Sequence, residues 1–149
     1  MTLKFNISDF NPIIIDKIIE IEKQSDFSHW TKQMFSDEVE NKFSHFKVIS
    51  TDNQIIGFII YRIVFDEAEI LNIVIDKNFR GLKAGKYLLN FAINDIKNKN
   101  CRIIFLEVHQ NNAIAQNFYK TVGFKQYSIR KKYYDEFDAI LMKLELCNF

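Results

Sequence analysis

Between a β-branched run, Leu71-Asn72-Ile73-Val74-Ile75, and an apolar-periodic segment starting at Lys86, the chain places Arg80-Gly81-Leu82-Lys83-Ala84-Gly85-Lys86. A strand that feeds a basic, glycine-containing turn and then a helix N-terminus makes an anion site. The first helical N–H groups have no internal acceptor, and the helix dipole adds partial positive charge there. A pyrophosphate suits such a turn. The spacing is not Gly-x-x-x-x-Gly-Lys-Ser/Thr, and no Gly-x-Gly-x-x-Gly occurs, so nucleoside triphosphate and dinucleotide chemistry lose their main support. On these residues alone a plainer reading stays open, in which Arg80, Lys83 and Lys86 merely face water. His29, His45 and His109 share no ligand spacing, and Cys101 and Cys147 form no metal-binding pattern, so no metal site is expected. Each histidine reads as a surface or loop residue, and Cys101, opening a strand, as a packed one.

The elements that must position this turn follow from periodicity. Leu3 to Ile7 alternates as a half-buried strand does, and Asn11-Pro12 offers a cap and a proline start for a helix reaching about Gln24. Thr31 caps a second helix carrying Met34, Phe35 and Val39, with Trp30 as its hydrophobic staple. Phe46–Ile49, the turn Asp52-Asn53 and Ile55–Val64 form a hairpin, and Glu69–Ile75 is the next strand. Leu89, Ala92, Ile93 and Ile96 fall on one face of a helix from Lys86. Arg102–Val108 is a strand, Asn112 to about Val122 a helix, and Gly123 its left-handed stop. Two last strands, Phe124–Ile129 and Ala139–Leu146, flank a polar, aromatic loop. One mixed sheet covered by helices on both faces follows, in an α/β chain.

At 149 residues and 48% apolar, the chain is expected to form one domain over 1–149 and to bury roughly two-thirds of its unfolded surface. A net charge of +1 provides no global field, so neither a nucleic-acid partner nor a membrane surface is expected. No run approaches the ~18 apolar residues of a membrane span, and the first residues do not pattern as an export signal. Two cysteines suggest a reducing cytoplasm. Only four glycines and one proline occur, so each glycine is expected to have a local purpose.

Taken together, Ala68-Glu69-Ile70-Leu71-Asn72-Ile73, Arg80-x-x-Lys83-Ala84-Gly85, Leu106-Glu107-Val108, Asn112-x-x-Ala115-x-x-Phe118-Tyr119 and Gly123-Phe124 resemble the GNAT superfamily of N-acetyltransferases. Within it the likeness is strongest to the RimI-type enzymes, which acetylate the N-terminal alanine of ribosomal protein S18. Arg130-Lys131-Lys132-Tyr133-Tyr134 is similar to an Arg-Arg-x-Tyr-Tyr stretch of that subgroup. The resemblance implies a mostly antiparallel central sheet with a splay between its two central strands, Leu71–Ile75 and Ile103–Val108. It also implies acetyl-CoA as co-substrate, with pantetheine against the backbone of Ile73, Val74 and Ile75. Pyrophosphate would then lie at Arg80, Gly81, Leu82, Lys83, Ala84, Gly85 and Lys86. Lys83 stands where the family's loop has its first glycine, and a positive φ would cost it about 1 kcal/mol or more. Its ammonium, by pairing with phosphate, or Gly81, from a shifted position, would offset that.

On the same resemblance Glu107 takes the proton of the attacking amine and Tyr119 donates one to the departing sulfur. Asn112 binds a pantetheine amide as well as capping its helix, Ala115 permits close approach, and Phe118 packs beside it. A strand-edge role for Glu107, a core role for Tyr119 and a purely capping role for Asn112 are the structural alternatives. A peptide N-terminus, that of ribosomal protein S18 included, would lie between Ser25–Thr31 and Arg130–Asp138, against Trp30, Glu69, Asn72, Tyr133 and Tyr134. Asp66, Glu67, Glu69, Asp135, Glu136 and Asp138 would attract a basic peptide. A small amine as acceptor, or a non-catalytic acyl-CoA-binding module, are the competing functions.

Overall fold

Asn11 begins the first helical segment as its sequence predicts. Its carboxamide oxygen accepts from the Ile13 N–H, and Pro12 opens a 3₁₀ turn leading into α1 (Ile15–Glu22). The structure, a computed structural model, describes residues 3–81 and 83–146, so Leu82 and Cys147 lie outside the described residues. Thr31 Oγ1 accepts the Met34 N–H at 3.2 Å to start α2 (Lys32–Glu40). The Trp30 ring packs on Phe35 at 5.3 Å between centroids, the expected staple. The helix carries Met34, Phe35 and Val39 as expected, and of the three only Phe35 is buried. Phe35 is buried with Glu38, whose carboxylate is satisfied by Arg62 and Ser44.

β2 (Ser44–Thr51) and β3 (Gln54–Val64) join through Asp52-Asn53, both at positive φ, as a two-residue hairpin turn requires. β4 (Glu67–Ile75) follows, then α3 (Ala84–Asn98), β5 (Ile103–His109), α4 (Ala113–Val122), β6 (Lys125–Tyr134) and β7 (Phe137–Glu145). The first strand, β1, is Asn6–Asp9 rather than Leu3–Ile7. Its pairing with β2 runs Asn6↔Ser50 to Asp9↔Lys47, with an ion pair between Asp9 and Lys47. The expected polar loop after Ile129 is largely strand: β6 is exposed along nearly its whole length, so no apolar alternation announces it.

The sheet order is β1-β2-β3-β4-β5-β7-β6, antiparallel except for the parallel β4–β5 pair. α1 and α2 cover one face, through Ile18, Ile21 and Phe35 against Phe46, Phe58, Ile60 and Val74. α3 and α4 cover the other, where Leu88, Leu89, Ala92, Ile93, Ile96 and Tyr119 meet Ile59, Ile70, Ile104 and Leu106. No helix among the described residues is long and apolar enough to cross a membrane.

Two irregularities shape the centre. β3 pairs Ile60↔Asn72 and Tyr61↔Ile70, leaving Leu71 as an extra residue in β4. The bulge reverses the alternation: Ala68 and Ile70 pack toward α3, whereas Leu71 and Val74 pack toward α1 and α2. Gly57 lies against the end of the same strand. A Cβ there would sit 2.6 Å from Ile75 Cδ1 and 2.7 Å from the Val74 carbonyl oxygen, so only glycine allows the approach. Gly57→Ala is expected to destabilise the fold by about 1–3 kcal/mol, the usual cost of overpacking against backbone. Urea denaturation measures it, and an unchanged midpoint would contradict the close approach.

Candidate active site

The parallel ladder between β4 and β5 runs only from Glu67↔Ile103 to Ile70↔Leu106. Beyond Ile70 and Leu106 the two strands part. β4 continues beside β3 to Ile75↔Gly57, and β5 beside β7 to His109↔Ala139, so each keeps one partner and exposes its inner edge to the gap. Alternation along β5 turns Leu106 and Val108 toward α3 and α4 and therefore sends Glu107 to the opposite face. Tyr119 approaches from α4, on the face Glu107 leaves. A carboxylate and a phenol thus meet one gap from opposite sides.

A cleft of about 510 Å³ occupies this gap. It brings together Glu107, Tyr119, Trp30, Glu69, Asn72, Tyr133 and Tyr134 with Ile73, Asn112 and Ala115. A smaller hollow of about 190 Å³ adjoins it on the β6 side, sharing Glu69 and Glu107 and walled by Phe105, Tyr127 and Arg130. Arg130 connects this wall: its Nη2 lies 3.0 Å from Glu107 Oε1, and its guanidinium sits 4.9 Å from the centre of the Tyr133 ring. Tyr134 stacks on His109 at 4.9 Å, and Phe27 from the α1–α2 loop meets the same imidazole, tilted, at 4.9 Å. Loop and hairpin therefore close the cleft through one histidine. The hairpin tip is held by Asp138, which accepts the Lys132 N–H and donates its own N–H to Gln110.

Asn112 caps α4, its Oδ1 accepting the Ala115 N–H at 3.1 Å, and Gly123 at φ 115° ends the helix. Those two ends set where Tyr119 stands. Its hydroxyl makes no hydrogen bond among the described residues, and burial, with a smaller contribution from Tyr134, raises its pKa above the ordinary phenol value. Tyr134 is pushed up to about 12, first by burial and then by the Glu107 charge. Partial burial, followed by the like charge of Glu107, raises the Glu69 pKa above the usual carboxylate value.

The basic turn lies beyond the cleft, at the far end of β4. Val74, Ile75, Arg80, Gly81, Lys83, Ala84, Gly85, Lys86 and Phe118 do not line the cleft itself. Gly85 links the two regions, a Cβ there falling 3.6 Å from both Ile75 Cγ1 and Phe118 Cζ. Lys83 adopts the left-handed conformation, φ 68°, immediately before α3, and Gly81 is also at positive φ, 78°. The chain therefore makes the turn with a lysine where a glycine would be unstrained. No acidic residue occupies the first turn of α3, whose N–H groups remain available to an anion. Arg80 does not simply face water: its Nε donates to the Ile75 carbonyl at 3.0 Å, tying the turn to the strand end.

The proposed acidic field is largely dispersed. Asp66 and Glu67 pair with Arg102 at the opposite end of β4, and Asp138 is engaged by Lys132, so of that set only Glu69 lines the cleft. Three residues in or around the cleft were not foreseen as functional: His109 lines it, Arg130 walls the adjoining hollow, and Glu22 lies behind Asn72. His109, expected as a surface residue, is half-buried among aromatics, and a lone histidine has no spacing to betray that. Arg130 was noted only within its motif. Glu22, 2% exposed, carried no signal beyond its place at the end of an amphipathic helix.

A sequence model of the Acetyltransferase (GNAT) family matches residues 15–124. A Bacillus subtilis protein named putative ribosomal protein bS18-alanine N-acetyltransferase is 40% identical over 131 residues, 86% of this chain and 87% of that one. A Haemophilus ducreyi ribosomal protein bS18-alanine N-acetyltransferase is 35% identical over 143 residues, 93% of this chain and 94% of that one. The crystal structure of the ribosomal-protein-S18-alanine N-acetyltransferase from Escherichia coli superposes with a TM-score of 0.89 at 24% identity. It covers 98% of this chain and 96% of that one, and shares the fold.

Two outcomes follow from the site's strain and charge. Replacing Lys83 by Gly removes a left-handed lysine and is expected to stabilise the protein by about 0.5–1 kcal/mol in chemical denaturation. A loss of stability would mean that the lysine side chain holds the turn. A carboxylate whose folded pKa is raised contributes fully below its unfolded pKa, and that contribution is lost as pH rises through the folded value. Glu69→Gln is therefore expected to raise stability more at about pH 7.5 than at about pH 4.5, and a pH-independent difference would contradict the raised pKa.

Proposed function

The chain belongs to the GNAT family of acetyltransferases, and from that membership we propose that it acetylates the N-terminal α-amine of a protein, the alanine of an S18-type ribosomal protein being the acceptor. The observation that carries the reading is the approach of Glu107 and Tyr119 to one strand gap from opposite faces of the sheet, beneath an aromatic hairpin. The similarity to S18-alanine acetyltransferases over most of the chain supports the choice of acceptor. Acetyl-CoA supplies the activated acetyl group as a thioester.

The residues present fit that co-substrate. The inner edge of β4 at Ile73, Val74 and Ile75 has no strand partner and offers its backbone to a pantetheine amide. The first turn of α3, Ala84, Gly85 and Lys86, offers N–H groups to a pyrophosphate, with Arg80, Gly81 and Lys83 shaping the approach. Asn112 keeps its Nδ2 for the cleft while Oδ1 caps α4, and Ala115 presents only a methyl group to whatever passes. Phe118 backs Gly85 and keeps the α3–α4 seam apolar.

The acceptor enters on the Glu107 face, between the Trp30 loop and Tyr133 and Tyr134, with Glu69 attracting its positive charge. Glu107 takes a proton from the ammonium, directly or through water, and frees the nitrogen lone pair. A backbone N–H on the free edge of β4 near Ile73 or Val74 faces the oxygen that gains charge as the N–C bond forms. The C–S bond then breaks, its electron pair leaves on sulfur, and the second amine proton passes to solvent, or to Glu107 once it has released the first to water. Tyr119 meets the sulfur from the α4 face. Its raised pKa keeps the O–H intact across the working range, so it serves first as a hydrogen-bond donor to the developing thiolate.

Incubating the purified protein with acetyl-CoA and a panel of alanine-starting peptides, lysine peptides and small amines, read by mass spectrometry, tests the acceptor. Acetylation is expected on the α-amine of alanine peptides, and modification of small amines alone would overturn the reading. Tyr119→Phe is expected to lower kcat by roughly 10²-fold with little change in the KM for acetyl-CoA, because thiolate stabilisation develops only in the transition state. A loss expressed through KM alone would assign Tyr119 to packing.

A further inference from the structure

Glu22 is a carboxylate that the mechanism above leaves unused, and its setting is a costly one. It is 2% exposed, and it ends α1, where the helix dipole disfavours negative charge. Its hydrogen-bond partners are all neutral. Ser28 Oγ donates at 2.9 and 3.0 Å, the Trp30 N–H donates to Oε2 at 3.3 Å, and Asn72 Nδ2 donates to Oε1 at 2.8 Å. A buried charge without a cation costs more than a buried amide would, so an apolar or neutral residue would serve packing alone better.

What the carboxylate does that a neutral group cannot is fix the orientation of Asn72. An ionised carboxylate only accepts, so the Asn72 carboxamide has to turn its NH₂ toward Glu22. Its Oδ1 is then left facing away, with no donor among the described residues, in a residue that lines the cleft beside the bulge at Leu71. The same carboxylate holds Ser28 and Trp30, which line the cleft opposite. We propose that Glu22 is a positioning residue that commits Asn72 to present an oxygen, and never an NH₂, to the N–H groups of the acceptor amine. This deepens the α-amine reading given above and rests on it. The acceptor arrives as an ammonium and must lose protons in sequence. A neutral acceptor oxygen holds one N–H in place without competing with Glu107 for the proton. An NH₂ in its place would confront the ammonium donor to donor.

Glu22→Gln tests this without dismantling the network. The Trp30 N–H requires an oxygen at its end of the side chain, which leaves the new Gln NH₂ facing residue 72. Asn72 then flips, accepts that NH₂ through Oδ1, and turns its own NH₂ to the cleft, so the hydrogen bonds are kept while the group offered to the acceptor reverses. The KM for an alanine-starting peptide is expected to rise about tenfold or more, while the acetyl-CoA Kd by calorimetry and the thermal midpoint stay close to those of the unaltered protein. The pair Glu22→Gln with Asn72→Asp restores an outward oxygen, now charged, and is expected to bring the peptide KM back to within about threefold while kcat stays lowered, because a carboxylate at position 72 competes with Glu107 for the proton. A peptide KM unmoved by Glu22→Gln, or losses shared equally by peptide KM, acetyl-CoA Kd and melting, would overturn the proposal. Independently of turnover, the Asn72 side-chain N–H groups followed by NMR are expected to exchange with water slowly in the unaltered protein and faster in Glu22→Gln. Equal exchange in the two overturns the orientation even if no peptide is acetylated. If the exchange rates differ but no peptide is acetylated, Asn72 still faces as described, and it is the α-amine reading that fails.

Discussion

Two parallel strands that begin as neighbours and then stop pairing impose a demand on everything around them, because backbone N–H and C=O groups on the inner edges of β4 and β5 lose their natural partners past Ile70 and Leu106. A sheet tolerates such a gap only if both strands are held elsewhere. Here β3 grips β4 as far as Ile75, with Gly57 allowing the approach, and β7 grips β5 as far as His109. The bulge at Leu71 marks where the parting starts and reverses which side chains face which helices. The opening is therefore a property of the whole sheet, built from contacts some distance from the chemistry.

That gap also explains why the polar groups come from so many elements. Alternation on β5 delivers Glu107 to one face, and the capped helix α4 delivers Tyr119 to the other. The β6–β7 hairpin and the α1–α2 loop meet over the opening through the stacked rings of Tyr134, His109 and Phe27. Arg130 ties Glu107 to that aromatic wall, and Glu22 ties Asn72 to the loop. Glu107 and Asn72 are thus each held by a second polar side chain that lies outside the reaction path, as a preorganised site requires. The basic turn is mechanically separate: it docks through Arg80 and the Ile75 carbonyl, and it accepts a left-handed Lys83.

Most elements were legible because their signals are local. Caps at Asn11, Thr31 and Asn112, the Asp52-Asn53 turn, the α3 stripe and the stop at Gly123 each depend on residues within a turn of one another. β6 was not legible beyond Ile129, since an exposed edge strand carries no alternation and is recruited by β7. Which face of α2 is buried was not legible, because Glu38 is buried only with Arg62 and Ser44, partners outside the helix. The acidic field failed for the same reason: which carboxylates already have partners depends on the sheet.

By itself the sequence determined the element order, the mixed α/β class, the basic turn before α3 and the family resemblance, including Glu107, Tyr119 and the tyrosine pair. The elements and the turn rest on periodicity and spacing, which short-range sterics and hydrogen bonding translate directly into structure, whereas Glu107, Tyr119 and the tyrosine pair came from the resemblance. Only the tertiary structure decided that Glu107 and Tyr119 flank one opening from opposite faces, that Arg130 engages the carboxylate, and that a buried Glu22 dictates which end of Asn72 faces the cleft. Those arrangements depend on strand register, a one-residue bulge and contacts spanning fifty residues of chain. Long-range packing sets them, and no local pattern encodes them.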